Sequence, residues 1–146
     1  MRSWPVPAKS VILRIFRVRK REAQNMQAFD FDSAVTMHKS WKMKFHLAID
    51  NIRSRDFDTQ PIGDNAKCSL GQWLSVNAGE LEKFDSAKDL LAIHQEFHRQ
   101  SESIADDIRS GKIVRLTDKA IVEFGVLSGK IEALLLQLKT EIQQAG

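Results

Sequence analysis

The chain has 146 residues, 42% of them hydrophobic and 28% charged, enough for one domain with its own buried core. Its single cysteine, Cys68, excludes an internal disulfide and suits a reducing cytoplasm, and no apolar run reaches the roughly 20 residues of a membrane-spanning helix. The net charge of +3 is unevenly held: residues 1–29 carry seven basic side chains and one acidic, a net +6, while residues 30–146 carry fifteen basic and eighteen acidic, a net −3. The body is therefore mildly acidic and does not suggest a nucleic-acid-binding fold.

In chain order, residues 1–29 read as an N-terminal extension and residues 30–146 as the domain proper. Met1 to Pro7 holds Trp4 and two prolines and reads as irregular. Val11 to Arg21 is apolar and then basic, too short to cross a bilayer, and without the small-residue cleavage site of a secretory signal. Two readings stay open for residues 11–21: weak contact with an anionic membrane surface or a partner protein, or a frayed terminus.

The spacing predicts a first long helix from Asp30 to Ile52, capped by Asp30, Asp32 or Ser33. Its apolar stripe runs through Phe31, Ala34, Val35, Trp41, Phe45, Ala48, Ile49 and Ile52, with His38 near the middle. Arg53 to Lys67, rich in Asp, Ser, Pro and Gly, reads as a loop. A short helix then begins near Cys68 and runs to Val76, stopped by Asn77-Ala78-Gly79. Cys68 in its first turn would be near backbone N–H groups that favour a thiolate. A long helix from Ser86 to Ser110, closed by Gly111, carries both His94 and His98 in its buried seam. A last helix, capped by Thr117 or Asp118, runs to about Gln144 with Ile121, Phe124, Ser128, Ile131, Leu135, Leu138 and Ile142 as its stripe. Three long helices and one short one, each with an apolar face, predict an all-α antiparallel four-helix bundle. Leu134, Leu135, Leu136 and Leu138 make the last stripe broad, and a second copy of the chain could cover the excess.

His94 and His98 are four apart in one helix, so both rings can point at one ion. With His38 and Cys68 they make three imidazoles and one thiolate, a complete tetrahedral shell for one Zn2+ per chain. Taken singly, each is more often an ordinary core residue; the combination is specific, because one cation would answer three buried imidazoles at once. Other metal chemistries fit less well. The zinc-protease motif needs Glu directly after the first histidine, where Gln95 stands. Ferritin-like di-iron sites need Glu three residues before each histidine, where Leu91 and Gln95 stand. Haem would leave the cysteine unused. Walker and dinucleotide-binding glycine patterns are absent.

The blocks Thr36-Met37-His38-Lys39-Ser40-Trp41-Lys42, Cys68-Ser69-Leu70-Gly71-Gln72-Trp73-Leu74 and His94-Gln95-Glu96-Phe97-His98 together resemble the chemoreceptor zinc-binding (CZB) domain family. The resemblance covers roughly residues 34–110. It implies a helical-bundle domain that dimerises and binds zinc through His38, Cys68, His94 and His98. Members of that family are cytoplasmic sensory modules of chemoreceptors and diguanylate cyclases, in which zinc, or oxidation of its cysteine, alters output. Neither a receptor signalling coiled coil nor a cyclase domain is found in this sequence, so the expected output is through such a partner in trans. Trp41, Leu70, Gly71, Trp73 and Phe97 are expected around the site, Trp41 in the core beside it. Cys68, from the edge of a short helix, is expected to be the labile, oxidation-sensitive ligand. A purely structural zinc bundle and a small zinc hydrolase are the competing readings; a four-ligand shell leaves no open position for water, and the chain is expected not to be an enzyme.

Overall fold

In the computed structural model, residues 9–50 and 67–146 are described, and they are all-helical. Six helices are found among them: α1 Lys9–Gln27, α2 Phe31–Asp50, α3 Ser69–Val76, α4 Ala78–Leu81, α5 Asp85–Arg109 and α6 Lys119–Ala145. The expected irregular Met1–Pro7 and most of the expected 53–67 loop lie outside the described residues.

The expected end of the first long helix at Ile52 also lies outside the described residues; the other expected helix boundaries hold to within about one or two residues, as helix ends generally do. Asp30 caps α2: the Ser33 backbone N–H donates to its Oδ1 at 2.8 Å and the Ser33 hydroxyl to its Oδ2 at 2.6 Å. α5 ends in a left-handed cap at Gly111, φ 79°, where the Gly111 N–H donates to Ile108 and the Lys112 N–H to Asp107. Two elements differ from expectation. Residues 9–27, where a frayed terminus was one open reading, form the nineteen-residue α1. Asn77 does stop α3, its side-chain amide donating to the Trp73 carbonyl at 2.8 Å, but the chain then makes the single turn α4 before α5.

α6 is the element the others pack on. Lys39 pairs with Glu132 and Asp32 with Lys139, both at 3.0 Å, so α2 runs antiparallel to α6. The Ser86 hydroxyl, at the start of α5, donates to Glu141 near the end of α6, so α5 is antiparallel to α6 as well. Phe124 of α6 joins the two interfaces, 5.1 Å from the Phe45 ring of α2 and 4.7 Å from the Phe97 ring of α5. All three rings are buried, each worth about 1.5–3 kcal/mol relative to exposure. Of the α6 stripe expected from the sequence, Ile121, Phe124, Ser128, Ile131, Leu135, Leu138 and Ile142 are buried, with Leu127 added, whereas Leu134 is half-buried and Leu136 exposed. α3 packs on α5, and α1 meets α6. Among the described residues no helix is long and apolar enough to cross a membrane.

Candidate metal centre

α2, α3 and α5 each turn a ligand-type side chain towards one point. His38 lies mid-stripe on α2, His94 and His98 lie one turn apart on α5, and Cys68 is the residue that starts α3. The four are buried, and one ligand atom from each falls within 4.8 Å of all the others. The His94 Nε2 is 3.1 Å from the Nε2 atoms of both His38 and His98. The Cys68 Sγ is 3.7 Å from the His38 Nε2 and 3.5 Å from the His94 Nε2.

Those separations can be set against the chemistry of a tetrahedral ion. With zinc–nitrogen bonds near 2.05 Å and zinc–sulfur bonds near 2.3 Å, tetrahedral edges are about 3.3 Å between nitrogens and about 3.6 Å between nitrogen and sulfur. Four of the six donor pairs already stand at nearly these edges, and all six lie within 4.8 Å. Hydrogen bonding cannot account for the convergence: a neutral imidazole nitrogen offers one proton or one lone pair, and the His94 Nε2 faces two nitrogens at 3.1 Å. A cation at the centre attracts every lone pair at once.

The surroundings favour the ligating form. The His38 Nδ1 donates to the Ala34 carbonyl at 2.7 Å, which fixes that proton and leaves the Nε2 lone pair facing the cluster. Burial pushes the His94 pKa down to about 3, helped by the nearby His98 and His38; burial also lowers that of His38. The neutral imidazoles that metal binding requires are thus the forms the fold prefers. The buried His94 Nδ1 has no hydrogen-bond partner among the described residues.

Of the neighbours expected from the sequence, Phe97 is fully buried, and its ring lies 5.3 Å from His38 and 5.6 Å from His98. Leu70 is fully buried and Gly71 half-buried. Trp41 is buried one turn after His38, with the Lys44 ammonium 4.0 Å above its ring. Trp73 is buried against Phe29 and Phe31: its ring stacks on Phe29 at 4.4 Å and meets Phe31 edge-on at 5.4 Å. Sequence reading did not find those two phenylalanines as neighbours of the cysteine block, nor the Ala34 carbonyl as the partner of His38. The second has a local signal, since a helical histidine can reach the carbonyl four residues back; the first is a tertiary contact with none. Glu96, the carboxylate nearest the ligands in sequence, is held well away from general-base chemistry. It accepts from Arg99 at 2.7 Å, and this pairing lowers its pKa to about 2.

The donor set, sulfur with imidazole in a closed tetrahedron, fits Zn2+. No curated protein and no solved structure matches the chain. A family model does match, that of the chemoreceptor zinc-binding domain, over residues 38–105, a span that contains all four donors. On sequence model and donor geometry together, residues 38–105 of this chain are a chemoreceptor zinc-binding domain, and its metal is zinc.

Proposed function

We propose that this chain is a zinc-dependent sensory module that acts through a partner protein, with the ion held by His38, Cys68, His94 and His98. The convergence of four buried donors within 4.8 Å of one another is the observation that carries this reading. Four protein donors leave no position for an activated water, and Glu96 is tied to Arg99, so the reading is regulatory and not hydrolytic. In this reading residues 30–146 act as one unit, with α2, α3, α5 and α6 as an antiparallel four-helix bundle. The setting is the cytoplasm, and the partner in trans is a chemoreceptor or a diguanylate cyclase.

The switch in this proposal is Cys68. The three histidines sit inside long helices, whereas Cys68 starts a helix of eight residues. It is also the one donor that oxidation converts from thiolate to sulfenic acid, a poorer zinc ligand. The histidines keep the metal while the sulfur leaves and returns, and its departure alters the surface that α3 offers a partner. Metal analysis of protein purified without added metal tests the site. The expected outcome is one zinc per chain in the wild type, retention at reduced affinity in Cys68→Ala, and loss in His94→Ala and His98→Ala. Unchanged zinc content in both histidine variants would overturn the assignment.

A further inference from the structure

α1 carries surface that neither the zinc centre nor the α2–α5–α6 core uses. Met26, near its C-terminal end, is buried, but Val11, Ile12, Leu13, Ile15, Phe16 and Val18 are all exposed, Phe16 at 66%. At 100° per residue these six side chains fan over about 220° of the helix circumference, more than the single stripe a protein groove reads. The charges follow a different pattern. Arg17, Arg19, Lys20 and Arg21 are exposed and point in well-spread directions around the axis, forming a basic collar just after the apolar turns. No acidic residue occurs from Lys9 to Arg21. Pairing with α1 of a second copy would therefore bring like charges together, with Glu22 as the one acid of that helix to answer them. A nucleic acid would satisfy the collar and leave the apolar turns in water.

An anionic lipid surface answers both halves, and we propose that α1 docks there: its apolar turns enter the boundary of one leaflet while the collar lies at the phosphates. Residues 11–18 span about 12 Å at 1.5 Å per residue, far less than the 30 Å of a hydrocarbon core, so the helix reaches into one leaflet only. Arg14, within the apolar turns, has a stem long enough to carry its charge back to the interface. This surface is separate from the zinc centre and does not rest on the sensory reading.

Sedimentation of the full-length protein with vesicles tests it, using phosphatidylcholine alone and phosphatidylcholine mixed with an equal part of phosphatidylserine. Binding is expected to the mixed vesicles, to weaken as salt is raised, and to be poor on phosphatidylcholine alone. Arg17→Glu with Arg21→Glu should weaken it by about fivefold or more for each cation removed. Phe16→Glu should also weaken it, and because Phe16 is largely in water the fold is spared. Zinc content, expected to be unchanged in these variants, checks that the body is intact. Equal partitioning onto both vesicle types, binding that survives both sets of substitutions, or no sedimentation of the wild type with mixed vesicles would overturn the proposal.

Discussion

His38 and His94 are held neutral by burial, and that has a sign. Their folded pKa values lie below the ordinary 6.5, that of His94 at about 3, so as pH falls the unfolded chain takes up protons first. Between those limits the unfolded state binds more protons than the folded one. The stability of metal-free protein should therefore be full above 6.5 and decline as pH falls towards about 3, with a shallower slope in His94→Gln. Denaturant titrations of metal-stripped protein on either side of that window read the effect; stability that rises on acidification would contradict it. Trp41 gives a second expectation at this scale. Its ring is buried in the core and covered by Lys44, so Trp41→Ala should cost about 3–5 kcal/mol in a denaturant melt. A cost under about 1 kcal/mol, the level of an exposed site, would show that the ring is dispensable to the core.

Of the helices that bring a donor to the metal centre, α3 has the least to hold it. It is eight residues long, starts at the metal-side cysteine and packs on α5, whereas α5 and α6 share a long interface. Hydrogen exchange should therefore rank them. In mildly oxidised or zinc-free protein residues 67–79 are expected to lose protection first, with α5 and α6 still protected. Loss of protection throughout on zinc removal would instead make the ion a structural staple. The positions of these elements were largely legible in the sequence, because amphipathic periodicity, Asp30 and Gly111 are local signals. So was the convergence of the four donors, since a pair four apart on one helix face and a mid-stripe histidine constrain where rings can point. The helical state of residues 9–27 was harder to read, because its apolar residues are spread around the axis rather than gathered in a stripe. The lodging of Trp73 against Phe29 and Phe31 was not legible at all, since it joins residues more than forty positions apart.

At the scale of the molecule, an apolar seam is left uncovered among the described residues. Val122 and Val126 on α6 are 55% and 53% exposed, Leu136 follows on the same row, and Met43 and Leu47 on α2 are also in water. Met43 borders a shallow groove whose other wall holds Gly125, Ser128 and Gly129; the Lys42 side chain lies over Gly125, and open space stands over Gly129. Together with the broad leucine stripe, this is the surface we propose for a homodimer packed along α6. Sedimentation equilibrium should give twice the chain mass for the wild type and shift towards monomer in Val126→Glu. A monomeric wild type would overturn the dimerisation that the family resemblance implies.

The stack of Trp73 on Phe29 places one ring of α3 against the short turn between α1 and α2. An aromatic pair of this kind contributes about 0.5–1.5 kcal/mol beyond its buried area. At ordinary temperature that is a factor of about 2 to 13 in an equilibrium constant, against the roughly ten-thousandfold preference needed to drive a two-state element from one extreme to the other. Linkage is reciprocal, so whatever fixes α1 can bias the release of Cys68 through this contact by the same modest factor, and release of Cys68 can bias α1 no more strongly. In the proposed switch, conversation between α1 and α3 through these rings is graded: a rheostat, with the decisive step left to the chemistry of the sulfur.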